Sequence, residues 1–100
     1  MLTSKQRAQL RAMANPLEDV VLIGKDGLTD AVIAQVEEVL EKRELIKIKL
    51  LETSFLTPKT VQQALCEELD AEPVQCIGTK VVIYRQARNP KNRKIELGRA

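Results

Sequence analysis

Apolar residues recur at helical spacing in three stretches of the 100-residue chain and at strand spacing in four others. Leu10, Met13, Ala14 and Leu17 follow a Thr3/Gln6 pair at capping-box spacing, which predicts a first helix over residues 4–14, ended by Asn15-Pro16. Val20 to Ile23 is a β-branched run without alternation, as expected of a strand covered on both faces. Val32, Ile33, Val36, Val39 and Leu40 then form the clearest helical stripe, from about Asp30 to Arg43, with Glu37, Glu38, Glu41 and Lys42 on its outer side. Ile46-Lys47-Ile48-Lys49-Leu50 alternates strictly, which predicts a strand with one buried and one basic face. Thr57-Pro58 opens a third helix carrying Val61, Ala64, Leu65 and Leu69, and Pro73 breaks the pattern. Residues 74–77 and 81–84 read as an antiparallel pair joined through Gly78-Thr79-Lys80. The order α-β-α-β-α-β-β predicts a single α/β domain with a four-stranded mixed sheet. Right-handed β-α-β crossovers place the second and third helices on one face of it.

The turn after the first strand carries the most specific chemistry. Gly24-Lys25-Asp26-Gly27 encloses only two residues between glycines, and Thr29 follows as an N-cap with Leu28 placed to staple onto Ile33. A glycine-bracketed turn feeding a helix N-terminus offers unpaired N–H groups, partial positive charge and a lysine at one exposed point. Phosphate is the natural ligand for such a point. The spacing matches the G-x-x-G clamp of KH-type nucleic-acid modules, and does not match a P-loop or a dinucleotide fingerprint. The bland alternative is an ordinary strand-to-helix turn.

Composition narrows the function classes. The 44% hydrophobic and 30% charged content is that of one globular domain, and no apolar run approaches a membrane span. The N-terminus lacks a secretory signal, which leads to the expectation of a cytoplasmic protein. Histidine is absent, which removes the commonest general base and the usual nucleophile triads. Cys66 and Cys76, without C-x-x-C spacing or histidine partners, read as reduced core residues with no metal role. No cofactor, catalytic residue or small-molecule substrate is expected. A monomer is the expected state.

Charge is uneven along the chain. Residues 85–100 carry Arg85, Arg88, Lys91, Arg93, Lys94 and Arg99 against Glu96 alone, while residues 67–72 and 30–44 are acidic. A basic stripe beside acidic faces is the footprint of a nucleic-acid binder, with a solvated tail as the alternative. Arg7 and Arg11, one turn apart, make an edge of the first helix basic, and Lys47 and Lys49 do the same for one sheet face; simple solvation explains the helix edge equally well and is the favoured reading for the two strand lysines. Residues 1–86 are read as the domain and 87–100 as a basic C-terminal tail, in which Ile95 and Leu97, the only large apolar residues, leave open a short docked strand or extension.

The run from Leu2 to Arg85 resembles the YhbY family, the bacterial single-domain form of the CRM (chloroplast RNA splicing and ribosome maturation) domain. The segments that carry the resemblance are Leu-Thr-Ser-Lys-Gln-Arg at 2–7, Asn-Pro-Leu at 15–17, Val-Val-Leu-Ile-Gly-Lys-Asp-Gly-Leu-Thr at 20–29, Glu-Leu-Ile-Lys-Ile-Lys at 44–49 and Val-Gln-Cys-Ile-Gly-Thr-Lys-Val-Val-Ile-Tyr-Arg at 74–85. The resemblance implies a fold similar to the C-terminal domain of translation initiation factor 3. It also implies binding of RNA through the glycine loop and a basic surface, and association with ribosomal RNA in precursors of the large ribosomal subunit. The site residues expected on these grounds are Gly24, Lys25, Asp26, Gly27, Arg7, Arg11, Lys47, Lys49, Arg85 and Arg88. Asp26 repels a phosphate, so it is expected to shape the turn or point away while Lys25 makes the contact. Phe55 and Tyr84 are the only aromatic residues, too few for a multi-ring stacking platform, so recognition is expected to rest on phosphates and RNA shape. The competing expectation is a protein-interaction module whose basic tail binds an acidic protein of ribosome assembly or translation.

Overall fold

The computed structural model describes residues 2–97. It contains α1 (Ser4–Ala14), β1 (Asp19–Ile23), α2 (Asp30–Arg43), β2 (Leu45–Leu50), α3 (Pro58–Leu69), β3 (Glu72–Ile77), β4 (Lys80–Tyr84) and a 3-10 turn at Pro90–Asn92. Each helix starts where its local chemistry dictates. Thr3 and Gln6 form a reciprocal capping box, and the Thr29 and Thr57 hydroxyls accept the N–H groups of Val32 and Thr60. Two helices end in residues with positive φ, Glu44 (66°) after α2 and Asp70 (55°) after α3.

The sheet runs β1-β2-β4-β3, with β1 parallel to β2 and β4 antiparallel to both β2 and β3. β4 therefore fills the place between two parallel strands that α3 bridges. α2 and α3 lie on one face, where Val36, Leu40, Val61, Leu65 and Leu69 close over Val21, Ile23, Ile46, Ile48, Val81 and Ile83. The other face is covered over half its length, by α1 residues Leu10 and Ala14 packing on Leu45, Val74, Val82 and Tyr84.

β3 begins earlier than the sequence pattern predicts, because Pro73 lies inside it. As an edge strand it needs no N–H there, and the register shifts between Pro73 and Gln75. Gln62 of α3 donates through Nε2 to the carbonyls of Gln75 and Val82 beside this irregularity. Cys76, expected in the core, is exposed on this strand, with its Sγ 3.3 Å from Gln62 Oε1.

The segment after β4 does not behave as a tail detached at residue 86. Ala87 is fully buried, and Ile95 and Leu97 pack against the α1-side core. Two carboxylates hold the segment. Glu44 accepts the N–H groups of Ala87 (2.7 Å), Lys94 (2.6 Å) and Ile95 (2.9 Å), and Glu41 accepts those of Arg88 and Asn89 and the Asn92 side-chain amide. The part of the predicted tail at residues 98–100 lies outside the described residues.

Candidate nucleic-acid interface

Gly24 to Gly27 forms one tight turn in which the Gly27 N–H donates to the Gly24 carbonyl at 3.1 Å. Only Gly27 needs glycine's conformational range, with φ at +66°. Gly24 sits close against its neighbours: a Cβ there would lie 3.5 Å from Thr53 Oγ1 and 3.7 Å from Leu51 Cδ1, ordinary contact distances. Lys25 and Asp26 are exposed at the tip, and their N–H groups take no partner among the described residues. The turn therefore presents free donors and an ammonium group ahead of the α2 N-terminus.

The carboxyl ends of β1 and β2 bring further groups to this end of the molecule. The loop after β2 packs against the glycine turn, with the Leu51 N–H bonded to the Ile23 carbonyl at 2.8 Å. The β3–β4 hairpin arrives alongside, its Thr79 carbonyl accepting from the Leu50 N–H at 2.8 Å.

On the sheet face that α1 leaves uncovered, strand register sets Leu22, Lys49, Lys80 and Ile77 side by side in one row. Leu22 and Ile77 are 56% and 57% exposed, so the row is an open apolar-basic-basic-apolar band. Lys47 lies one row closer to α1 and reaches the Asn15 carbonyl at 3.4 Å, while Lys80 pairs with Asp19 at 3.4 Å. A hollow of about 140 Å³ separates this band from the end of α1. The band, the glycine turn and the N-termini of α2 and α3 share one end of the fold, as expected of a site at the carboxyl ends of parallel strands.

The expected site residues thus divide. Gly24, Lys25, Asp26, Gly27 and Lys49 fall on this end, and Lys47 borders it. Arg7 donates from Nε to the Pro73 carbonyl at 3.1 Å and lies with Arg11 along the β3 side of α1.

Arg85 is turned inward, 6% exposed, with Nη1 donating to the Leu69 carbonyl at 3.2 Å and Nη2 3.6 Å from Glu41. This corrects its expected place on a binding surface: the guanidinium ties β4 to the ends of α2 and α3. Arg88 lies over the helical layer, 3.9 Å from Glu37 and 4.0 Å from Asp70. Two residues of the basic stripe, Arg85 and Arg88, thus face acidic residues of the helical layer in the fold, while Lys91, Arg93 and Lys94 stay exposed.

Lys80, Leu22 and Ile77 are not among the expected site residues, although register sets them in one row with Lys49. Lys80 falls on the same alternation as Val82 and Tyr84, and pairing that strand with Lys47 and Lys49 would have placed it beside them.

Both carboxylates that hold the C-terminal segment titrate below their ordinary range. Hydrogen bonds from the Asn92 side chain and the Arg88 and Asn89 backbone, with the charge of Arg85, hold Glu41 down to about 2. Burial acts to raise the Glu44 carboxyl, but the backbone N–H groups of Lys94, Ala87 and Ile95 and the charge of Arg93 outweigh it and hold it below its ordinary value. Burial pushes the Cys66 thiol up to about 11, with Glu72 and Cys76 adding to the shift, and burial likewise raises Cys76, so both thiols stay protonated near neutrality. Among the described residues no cluster of three or more His, Cys, Asp or Glu is arranged to hold a metal ion, and no helix is long and apolar enough to cross a membrane.

Comparison with known proteins places this geometry in context. Residues 2–85 match the CRS1 / YhbY (CRM) domain. The chain is 38% identical over 97 residues to "Probable RNA-binding protein YqeI" of Bacillus subtilis, spanning 97% of this chain and 99% of that protein. It is 37% identical to an "RNA-binding protein" of Haemophilus influenzae, spanning 90% of this chain and 91% of that one. The solution structure of SAV1595 from Staphylococcus aureus superposes with a TM-score of 0.77 at 38% identity, covering 96% of this chain and all of that one. With its signature segments in order, its element order reproduced and nearly its whole length matched, the chain belongs to the CRS1/YhbY (CRM) domain family.

Proposed function

We propose that this chain is a non-catalytic RNA-binding protein of the cytoplasm that docks on ribosomal RNA in precursors of the large ribosomal subunit and assists their assembly. The observation that carries the reading is the convergence at one end of the sheet of the glycine turn, Lys25, and the open band containing Lys49 and Lys80, with Lys47 on its border. Free N–H groups of the turn and the ammonium groups of Lys25 and Lys49 suit phosphate oxygens, and the open band suits a folded RNA surface. Relatives named as RNA-binding proteins support the class of ligand, and the resemblance to the YhbY form supports the ribosomal assignment. Arg7 and Arg11 form a second basic strip, along the β3 side of α1. The rival reading, a basic tail binding an acidic protein, loses support because Arg85 and Arg88 already face the chain's own carboxylates.

The test is sedimentation of a lysate through a sucrose gradient, with wild type compared with Lys25→Glu/Lys49→Glu and each run repeated after nuclease treatment. Wild type is expected with large-subunit precursors, the folded double variant at the top, and nuclease should release the wild type. Wild type at the top of an untreated gradient would overturn the ribosomal assignment, and nuclease-resistant binding to particles would point to a protein partner.

A further inference from the structure

Phe55 is 95% exposed, far more than any other large apolar residue described, while Tyr84, the only other aromatic residue, is buried in the α1-side core. The ring is not on a loose loop. The Ser54 N–H closes a turn onto the Leu51 carbonyl at 2.9 Å, the Ser54 hydroxyl accepts the Leu56 N–H at 3.2 Å, and Leu56 packs against the main core. Thr57 immediately caps α3. Both neighbours of Phe55 are thus anchored, and the fold holds the ring in water.

This loop is also the wall of the glycine turn. A Cβ on Gly27 would lie 3.3 Å from Leu56 Cδ1, and one on Gly24 3.5 Å from Thr53 Oγ1, so Phe55 emerges between two residues that frame Lys25 and Asp26.

The geometry points to Phe55 as a stacking platform for one unpaired nucleobase of an RNA whose backbone is held by Gly24 to Gly27. This assignment rests on the RNA-binding reading above and adds to it the selection of a single-stranded nucleotide next to the clamped phosphates. A ring can stack on any base, because every base has a π face, but not on one already stacked within a duplex. A protein partner fits less well. Phe55 is flanked in sequence by the polar Glu52, Thr53 and Lys59. The other exposed apolar residues of this end, Leu51, Leu22 and Ile77, are interleaved with Lys25, Lys49 and Lys80, unlike the charge-depleted core that a protein interface buries.

The chain has no tryptophan, so Phe55→Trp introduces a single fluorescent reporter at the site. The probes are a single-stranded oligoadenylate of about ten nucleotides and a blunt duplex of the same length, within the range of known single-strand site sizes. The reporter should be quenched by the single strand only. Phe55→Ala should keep the wild-type unfolding temperature, lose about 5- to 150-fold in affinity for the oligoadenylate, the range that loss of one stacked base gives, and change little towards the duplex. Lys25→Glu should weaken both. If Phe55→Ala binds the single strand as wild type does while Lys25→Glu is impaired, the ring is idle and RNA binding still stands. Equal loss on both probes also overturns stacking. If wild type binds neither probe, the RNA reading itself falls and the platform with it.

Discussion

At the residue scale, the two glycines of the turn bear different burdens although they look alike in sequence. Gly27 lies at φ +66° with Leu56 beneath it, whereas a side chain on Gly24 would meet only ordinary contacts. Gly27→Ala should therefore cost about 1–2 kcal/mol, the penalty of a Cβ in the left-handed region, and Gly24→Ala less than about 0.5 kcal/mol. Thermal or denaturant unfolding of the two variants checks this, and equal losses would contradict the assigned geometry. Arg85 makes the complementary case. Arg85→Ala leaves the Leu69 carbonyl and Glu41 without their buried partner, with an expected loss of about 2 kcal/mol. Its RNA affinity, measured in the folded state, should be unchanged, whereas Lys49→Ala should show the reverse. The inward turn of Arg85 was not legible in the sequence, because a basic residue at a strand end reads as exposed until the carboxylate and carbonyl it meets are known.

At the scale of elements, helices and strands were largely legible because caps, stripe and alternation agree locally for each of them. What local pattern leaves open depends on distant partners. Pro73 reads as a breaker unless its strand is known to be an edge, and the docking of residues 87–97 depends on Glu41 and Glu44, more than 40 residues earlier. That clasp carries a pH signature. Both carboxyls have folded-state pKa values below their ordinary 4.5, so the unfolded or undocked state binds protons more readily, and docking free energy is present above pH 4.5. It falls as the pH drops towards the Glu41 value of about 2. Amide exchange at Ala87, Arg88, Lys94 and Ile95 should accelerate across that window relative to core amides of β2, after correction for the intrinsic pH dependence of exchange. Protection that stays constant down to pH 2 would contradict the clasp. Glu44→Ala strands three N–H groups and should lower stability by about 3 kcal/mol, read from chemical unfolding.

At the scale of the whole molecule, folding redistributes the charge seen in the sequence. Arg85 and Arg88 lie against the acidic helices, Lys91, Arg93 and Lys94 stay exposed, and the sheet band, the glycine turn and α1 present further cations at the surface. The alternation of Lys47 and Lys49 made half of this band readable, but the half contributed by Lys80 required the β2–β4 pairing, which no local pattern specifies. If Lys25, Lys47, Lys49 and Lys80 each neutralise one phosphate, log affinity against log salt should have a slope of about −3, and Lys49→Gln should reduce its magnitude by about 0.7–0.9. A slope near zero would exclude phosphate contacts as the main source of affinity.

The proposed interface puts RNA on the glycine-turn end of the sheet and not on the C-terminal basic segment. The most direct measurement is an NMR titration of isotope-labelled protein with fragments of large-subunit ribosomal RNA. Amide shifts are predicted for Gly24 to Gly27, Lys49, Phe55 and Lys80, with Arg88, Lys91 and Lys94 unmoved. Shifts confined to residues 85–95 and the outer faces of α2 and α3, with the glycine turn silent, would contradict it.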